Sequence, residues 1–330
     1  MSQSLFNRRN TPASINNVLQ RVRHNMSLIT TGLALAALLG TNLPAAAQQP
    51  TDYVNPLIGT NGMGHVFPGA CTPFGWVQLS PDTDTIPHNV DGVYQKGTYA
   101  YCAGYRYQDP TIVGFSHTHL SGTGHSDLGD LLLMPATGPL KLNPGRADHP
   151  DEGYRSRFSH ATEKAAPGYY EVMLDDYGIR AQLTATQRVG IHKYTFPEGE
   201  KGHLILDLVH GIYNYDGKVL WSNLRVENDT LLTGYRITNG WARTNYTYFA
   251  ISFSQPIRDY GYQEKGKTLY NGFWRRFAVN RNFPEMGGRK VVAYFNFDTD
   301  RQSELVVKVA LSATSTAGAL KNLHAEAAQK

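Results

Sequence analysis

Residues 114–130 read Gly-Phe-Ser-His-Thr-His-Leu-Ser-Gly-Thr-Gly-His-Ser-Asp-Leu-Gly-Asp, and an apolar run at 131–135 follows at once. The stretch gathers three of the chain's twelve histidines, two aspartates and four glycines. Glycines permit positive φ angles and close approach of the backbone to a ligand. Binding and catalytic residues are concentrated on loops that strands hold in place. The pattern therefore predicts a functional loop held by a short strand.

A second loop of the same character precedes it at 59–75, with the sequence Gly-Thr-Asn-Gly-Met-Gly-His-Val-Phe-Pro-Gly-Ala-Cys-Thr-Pro-Phe-Gly. Both loops place histidines among glycines, and an imidazole can donate to and accept from hydroxyl groups. We expect the two loops to lie side by side at one end of the fold and to form half of a sugar site.

From residue 150 onward, apolar and polar residues alternate with the period of half-buried strands. Turns rich in Gly, Asn and Asp separate these segments, and 169–174 and 179–186 form a predicted hairpin. The pattern predicts an all-β fold, an antiparallel β-sandwich similar to a supersandwich, with a helix beginning at about residue 318. The predicted strands lie at 77–80, 111–115, 169–174, 179–186, 189–196, 204–209, 220–227, 231–239, 241–255, 288–298 and 304–313.

Three segments are predicted along the chain: 1–47, 48–315 and 316–330. In the first, Arg21 and Arg23 precede an apolar stretch at 28–43, and Pro44 with three alanines follows. That order is typical of a cleaved secretory signal, with an uncleaved anchor as the alternative. The second is the sandwich domain, and the third is the start of a linker. We expect a secreted or periplasmic protein with no membrane span after signal cleavage.

Composition excludes some classes of partner and leaves the cysteines open. The formal net charge is +4, but residues 1–47 hold four arginines and no acidic residue, so the rest has 27 basic and 27 acidic side chains. With the charges balanced in this way, the composition gives no sign of a basic surface that would bind nucleic acid. Cys71 and Cys102 are the only cysteines. We predict two free thiols, with a disulfide as the alternative in an oxidising compartment.

The candidate residues come mainly from the two loops and from the turn that follows the 77–80 strand. For the histidines, three interpretations are open: sugar contact, hydrogen bonds that hold a tight loop, or metal ligation with Asp127 or Asp130 as a further ligand. Metal is the weakest, because no third ligand has motif spacing. Asp82 and Asp84 either cap a turn or accept from a sugar hydroxyl. The residues predicted to contact substrate are His65, Cys71, Asp82, His117, His119, Ser121, Gly122 and Asp127.

Catalytic residues are not assigned from the residues alone. Hydrolysis of a glycoside needs two carboxyl groups that flank the bond, and no convincing pair stands out. The tyrosines between 94 and 107 are interpreted as core or surface residues in preference to a stacking platform.

Several motifs resemble the opening of glycoside hydrolase family 92, in order and over about residues 51–325. They are Val54-Asn-Pro-Leu-Ile-Gly-Thr60, Gly64-His-Val-Phe-Pro-Gly-Ala70, Pro73-Phe-Gly75, Gln78-Leu-Ser-Pro-Asp82, Gly114-Phe-Ser-His-Thr-His-Leu-Ser-Gly122, Gly129-Asp130, Pro167-Gly-Tyr-Tyr170 and Leu183-Thr-Ala-Thr-Gln-Arg-Val-Gly190.

The resemblance implies the N-terminal β-sandwich of a secreted, inverting, calcium-dependent exo-α-mannosidase. Family members carry the general acid, the general base and most calcium contacts on a C-terminal helical barrel, whose motifs are not in this sequence. The implied partners are mannose-containing glycans and that barrel. We expect the sandwich to contribute sugar contacts and the chain alone to be inactive. Two alternatives stay open: a free-standing carbohydrate-binding module, and a sandwich with its own His/Asp metal-hydrolase site.

Overall fold

The computed structural model describes residues 49–84, 86, 89–264 and 282–328, together with Gln20 and Arg23. The chain divides into two units, Met1–Pro50 and Thr51–Lys330. The predicted signal segment at 1–47 therefore lies outside the described residues, apart from Gln20 and Arg23. Within the described part, no helix has both the length and the apolar character to cross a membrane.

Strands dominate the described residues. The strands are β1 (Ala70–Cys71), β2 (Gln78–Asp82), β3 (Asn89–Val90), β4 (Val93–Tyr94), β5 (Thr111–Ile112), β6 (Gly114–Ser116), β7 (Leu132–Thr137), β8 (Ser156–Arg157), β9 (Lys164–Ala166), β10 (Tyr169–Leu174), β11 (Ile179–Ala185), β12 (Val189–Thr195), β13 (Gly202–Asp207), β14 (Val219–Asn228), β15 (Leu231–Thr238), β16 (Asn245–Phe253), β17 (Asp259–Glu264), β18 (Glu285–Gly288), β19 (Val291–Asn296) and β20 (Glu304–Ser312). The α-helix α1 spans Thr316–Ala327, and short 3-10 helices span Pro50–Tyr53, Lys96–Tyr101 and Pro150–Glu152.

Two antiparallel sheets form the sandwich. One has seven strands in the order β1-β2-β6-β7-β13-β19-β17, and the other has nine in the order β18-β14-β15-β16-β20-β12-β11-β10-β9. Two further pairs, β3-β4 and β5-β8, are two-stranded. The fold class predicted from the alternating pattern is confirmed.

The inner faces of the two sheets share one apolar core. Phe115 on β6 lies 6.2 Å from Tyr194 on β12, measured between ring centroids. Phe253 on β16 lies 5.9 Å from Phe295 on β19 in the same way. Because each pair joins one sheet to the other, the sheets pack face to face, as alternating strands require.

The helix α1 packs against the outer face of the nine-stranded sheet. Leu305, Val307 and Val309 of β20 belong to the core between the sheets, so Ala310 points the opposite way. Ala310 packs against Leu323 and other small or apolar residues of α1. The helix starts at Ser315, whose hydroxyl accepts the N–H of Gly318 at 3.0 Å, as an N-cap does.

The end of α1 is attached to the turn before β12. The Glu326 carboxylate accepts from the Thr186 hydroxyl at 2.5 Å, the Arg188 N–H at 2.9 Å and the Arg188 guanidinium at 2.7 Å. Between them, the Gln187 carbonyl accepts from the Trp76 N–H at 2.7 Å. The turn thus connects α1 with the segment that leads into β2.

The sequence predicted most of these elements. The 169–174 and 179–186 hairpin is confirmed in register, with Leu174 opposite Ile179, and the predicted helix is confirmed as α1. The predicted free thiols are confirmed, with Cys71 exposed and Cys102 buried. Several details differ: the 111–115 strand is two strands, β5 and β6, and β16 begins at residue 245 instead of 241. The strands that were not predicted are β1, β3, β4, β7, β8, β9, β17 and β18.

Candidate functional site

The two glycine-rich loops lie side by side, as the sequence predicts. The Gly122 N–H donates to the His65 carbonyl at 2.7 Å, and the Phe67 N–H lies 3.5 Å from the Ser121 hydroxyl. The ring of Phe67 lies 5.4 Å from the imidazole of His119. These contacts join the 59–75 loop to the 114–130 loop and bring four of the predicted site residues together.

His65 lies at this junction in a backbone conformation that is uncommon for residues other than glycine. Its φ is 51°, in the left-handed region. Its ring stands edge-on to Tyr99, with 4.8 Å between centroids. The residue is 8% exposed, and among the described residues nothing hydrogen-bonds its Nε2. A buried polar atom without a partner costs about 1–3 kcal/mol, and a ligand hydroxyl would remove that cost.

A buried carboxylate, that of Asp82, holds two histidines next to the junction. Asp82 has no exposed surface, and its two oxygens accept from Nε2 of His119 at 2.9 Å and Nε2 of His210 at 2.7 Å. Burial raises the pKa of Asp82, but the charge and hydrogen bonds of the two histidines outweigh it and hold that pKa well below its ordinary value. Since Nδ1 of His119 faces the Gln78 carbonyl at 2.7 Å, that imidazole is fixed at both nitrogens.

A cleft of about 290 Å³ opens beside His119 at the end of the sandwich. Its volume is at the lower end of the ~300–1,000 Å³ that small-molecule sites occupy. Its walls combine indole rings with hydroxyl, amide, carboxylate and imidazole groups, a mixture that suits a polar ligand with apolar faces. The lining residues are Trp76, Gln78, Thr118, His119, Leu120, Asp127, Leu128, Asp130, Thr238, Gly240, Trp241, Ala242, Asn245 and Thr247.

Asp127, one of the two carboxylates of this cleft, is held by donors. It accepts from the Lys218 ammonium and, at 2.9 Å, from the Trp241 N–H. Burial raises the pKa of Asp127, but the hydrogen bonds from Lys218 and Trp241 outweigh burial and hold the pKa below its ordinary value. A general acid for glycoside hydrolysis needs the opposite, a raised pKa. Asp127 is therefore suited to holding the cleft in shape.

Asp130, the other carboxylate, is buried in a similar network. The Thr118 hydroxyl donates to it at 2.8 Å, and Nη1 of the fully buried Arg236 lies 3.4 Å away. Arg236 also donates to the carbonyls of Gly129 and His210. These bonds fix the end of the 114–130 loop to the segment that follows β13.

His117 belongs to the core. The Tyr194 hydroxyl lies 2.8 Å from Nδ1 of His192, Nε2 of His192 lies 2.9 Å from Nε2 of His117, and Nδ1 of His117 lies 2.7 Å from the Leu131 carbonyl. Each donor in this series of hydrogen bonds has an acceptor if both imidazoles are neutral. Burial lowers the pKa of His117 to about 4 and that of His192 well below its ordinary value. Its geometry supports the structural interpretation of His117.

The described part of the chain has no set of side chains that could act together as metal ligands. No three His, Cys, Asp or Glu side chains there are grouped so that they could hold an ion. Asp82, Asp127 and Asp130 already accept from histidine, lysine and arginine. The described residues therefore do not fit the calcium that the family resemblance implies.

The remaining predicted residues are divided. Ser121 and Gly122 are exposed at the loop junction. Cys71 is exposed on the edge strand β1, opposite Gln78, and none of the hydrogen bonds or ring contacts of the described residues joins its side chain to the other predicted site residues.

Several residues that shape the site were not predicted to belong to it, among them Tyr99, His210, Lys218, Arg236 and Trp241. Only Trp241 carried a local signal, because Asn239 and Gly240 before it mark a turn where an aromatic side chain can be exposed. The others reach the site from distant parts of the chain.

Comparisons with known proteins agree with this architecture. The family model of the glycosyl hydrolase family 92 N-terminal domain matches residues 53–312. The structure is similar to that of the family 92 α-mannosidase BT3965 from Bacteroides thetaiotaomicron in complex with mannoimidazole, with a TM-score of 0.74 and 41% identity over 85% of this chain. It is also similar to the family 92 inverting mannosidase BT2199 from Bacteroides thetaiotaomicron VPI-5482, with a TM-score of 0.66 and 26% identity over 86% of this chain.

A curated relative from Arthroderma benhamiae, an uncharacterized secreted glycosidase, is 31% identical over 176 residues, which are 52% of this chain. The chain spans 34% of the length of each of those two mannosidase structures and 20% of the fungal relative. The match therefore concerns the sandwich region of these longer proteins.

Proposed function

Because the chain belongs to glycoside hydrolase family 92, as its N-terminal domain, we propose that it supplies the substrate-contacting sandwich of a secreted, inverting exo-α-mannosidase. The enzyme would remove terminal α-mannose from glycans. Mannose would bind where the two glycine-rich loops meet and in the cleft beside His119.

The observation that carries this proposal is the unpartnered Nε2 of His65 at the loop junction. Ser121 and Gly122 are exposed at the same junction, where the Gly122 N–H donates to the His65 carbonyl, and the half-exposed ring of Tyr99 packs against the His65 imidazole. A sugar hydroxyl that bonds to Nε2 would satisfy the buried nitrogen without displacing any existing bond. The left-handed backbone at His65 is then the kind of local strain that binding sites retain.

Proton transfer would come from another part of the enzyme. Inversion needs an acid and a base about 6.5–9.5 Å apart on opposite sides of the bond. The carboxylates of the cleft, Asp127 and Asp130, are instead committed to Lys218 and Arg236. The calcium of the family would likewise be held outside the described residues.

Secretion is part of the proposal. It is supported by the signal-like pattern of residues 1–47 and by the fungal relative that is named a secreted glycosidase.

A free-standing carbohydrate-binding module is the second candidate function. The commitment of both cleft carboxylates to basic side chains favours it, because such a site can bind a sugar without cleaving it. Both candidates require that the chain itself contact mannose.

The experiment is an NMR titration of the full chain with methyl α-mannoside. We expect saturable shifts, with a Kd of about 1 mM or weaker, which corresponds to roughly −4 kcal/mol. His65→Ala should weaken binding by about tenfold, since it removes one hydrogen bond.

His203→Ala is the matched control for this titration. His203 has a buried Nε2 without a partner among the described residues as well, but it lies on β13, away from both loops. Its substitution should leave the Kd unchanged. A wild-type chain that does not bind the mannoside would overturn the proposal, and equal binding by His65→Ala would remove His65 from the site.

A further inference from the structure

A cavity of about 600 Å³ lies on the outer face of the seven-stranded sheet, apart from the cleft beside His119, which is the first cleft. Asp207 of β13 and Val292 of β19 border this outer cavity and are opposite each other in the sheet. Phe295 of β19 meets the other sheet in the core, so Val292, three residues earlier, points to the outer face. Among the described residues, none lines both the outer cavity and the first cleft.

The segment 144–155 forms another wall of the outer cavity and is fixed to the sheet. The hydroxyl of Tyr154, which has no exposed surface, donates to the Asp207 carboxylate at 2.6 Å. Nε of Arg155, which is 3% exposed, donates to the Pro144 carbonyl at 2.9 Å. These bonds hold the wall in place without any ligand. The volume is in the range of about 300–1,000 Å³ that small-molecule sites occupy.

Two polar groups at this cavity have no partner among the described residues. His210 is 5% exposed, its main-chain N–H donates to Asp207 at 3.0 Å, and its Nε2 lies 2.7 Å from Asp82. No hydrogen bond among the described residues engages Nδ1 of His210 or the side-chain amide of Asn214, and both residues line the cavity. A hydroxyl both donates and accepts, so it can bond to this imidazole nitrogen in either protonation state and to either end of the amide.

The charged groups of the outer cavity do not favour an anion. Two arginines and three aspartates line it, which gives these five side chains a formal net charge of −1. Arg155 is paired with Asp84 at 3.1 Å. Arg146 is paired with Asp148 at 2.7 Å. Neither guanidinium is therefore free to bind a carboxylate or phosphate group, and an anionic ligand would meet an excess of negative charge.

The rest of the lining is largely apolar. It includes Val113, Pro144, Val209 and Val292. An apolar wall with a few polar groups that fix orientation is the usual character of a small-molecule site. A compound with hydroxyl groups on one side and C–H groups on the other would satisfy both parts of the lining.

We propose that the outer cavity binds a neutral hydroxylated molecule of the size of one or two sugar units, separately from the mannose of the first cleft. One hydroxyl would bond to Nδ1 of His210 and another to the amide of Asn214. The inference goes beyond the proposed function, because the outer cavity lies away from the loop junction. The carboxylate of Asp82 joins His210 to His119, so two hydrogen bonds separate this ligand from the imidazole of the first cleft.

The test is an NMR titration of the full chain with glucose and, separately, with glucuronate, observed at the side-chain amide of Asn214 and the imidazole of His210. Glucose should shift both signals saturably, with a Kd of about 10 mM. Glucuronate differs from glucose only in its carboxylate and should bind about threefold more weakly or worse, because of the excess negative charge. Tighter binding of glucuronate than of glucose would overturn the neutral class of ligand.

Ala147→Trp is the variant that should block the site. Ala147 is exposed at the edge of the outer cavity, so an indole there would fill the opening without disturbing the core, and it should weaken glucose binding by about tenfold or more. Asn214→Ala, observed at His210, should weaken it by about fivefold through the loss of one hydrogen bond.

Ala166→Trp is the matched control, because Ala166 is exposed on β9 of the other sheet and borders neither the outer cavity nor the first cleft. It should leave the Kd for glucose unchanged.

The indole N–H of Trp241 reports on the first cleft in the same samples. If methyl α-mannoside shifts this signal but glucose at about 100 mM does not shift Asn214 or His210, the outer site is overturned and the proposed function stands. Glucose shifts that survive unchanged in Ala147→Trp would also overturn it. If glucose shifts Asn214 and His210 while methyl α-mannoside leaves Trp241 unmoved, the outer site stands and the proposed function fails.

Discussion

Nε2 of His119 lies 2.9 Å from Oδ1 of Asp82, and neither side chain is exposed although 37 residues separate them. His210, 128 residues from Asp82, occupies the other carboxylate oxygen. One aspartate therefore joins β2, the 114–130 loop and the segment after β13. The imidazole that lines the first cleft owes its orientation to this buried contact.

Asp82→Asn should destabilise the fold by about 3–5 kcal/mol, because the amide has one oxygen where the buried carboxylate accepts from two imidazoles. Urea unfolding followed by tryptophan fluorescence measures this free energy. Asp148→Asn is the control, since Asp148 pairs with Arg146 at the surface, and it should not move the unfolding midpoint. An Asp82→Asn variant as stable as wild type would show that the buried network is dispensable.

Gly104→Ala should cost clearly more stability than Gly138→Ala. Both glycines have positive φ, 80° and 73°, so both substitutions carry the backbone penalty of about 1–2 kcal/mol. At Gly104 a Cβ would also come within 2.1 Å of Oδ1 of Asp82, whereas at Gly138 nothing lies within 4 Å. Thermal unfolding of the two variants separates the clash from the strain. Equal losses would mean that Asp82 can move aside.

Acidification from pH 6.5 to pH 4 should lower the free energy of unfolding. Burial lowers the pKa values of His117 and His203 to about 4 in the folded chain, against about 6.5 when unfolded. In that window the unfolded state binds more protons, so stability is fully present above pH 6.5 and is lost as pH falls. Each histidine accounts for roughly 3 kcal/mol. Urea unfolding at pH 7, 5.5 and 4 measures the slope.

His203→Leu and His117→Leu should both reduce this pH dependence but change stability at pH 7 in opposite directions. Among the described residues nothing hydrogen-bonds Nε2 of His203, so leucine there should stabilise by about 1 kcal/mol. Leucine at 117 leaves the Leu131 carbonyl and His192 without a partner and should destabilise. An unchanged pH slope in the His203 variant would contradict the assignment.

The purified full chain should not release nitrophenol from an aryl α-mannoside. The cleft carboxylates, Asp127 and Asp130, are paired with Lys218 and Arg236, so neither can act as the required acid. The control is a mock preparation from cells without the chain, assayed with and without added calcium. Turnover above that preparation would mean that the chain carries its own catalytic pair.

The hairpin β10–β11 was predictable because its information is local. Alternating residues set the faces, and Asp175-Asp176-Tyr177-Gly178 sets the turn, with Gly178 at a φ of 62°. Strand β17, Asp-Tyr-Gly-Tyr-Gln-Glu, was missed because it lacks aliphatic residues and contains a glycine. It forms because β19 offers it a partner, which no local pattern reveals.

The site was predictable only in part, for the same reason. Glycine and histidine in the two loops are local signals, and they predicted that the two loops meet, as the bond between Gly122 and His65 shows. Whether a histidine faces a ligand or the core depends on partners far along the chain. His117 meets His192, 75 residues away, and Asp127 meets Lys218, 91 residues away.

Glu326 attaches α1 to the 186–188 turn, and this turn is hydrogen-bonded in turn to a residue of the cleft beside His119. The turn's Gln187 carbonyl bonds to the Trp76 N–H, and Trp76 is a wall of the cleft. By thermodynamic reciprocity, a ligand that stabilises one position of Trp76 also stabilises the matching position of α1, and the reverse holds equally. Amide-exchange rates in the last turn of the helix therefore offer a remote reporter of cleft occupancy.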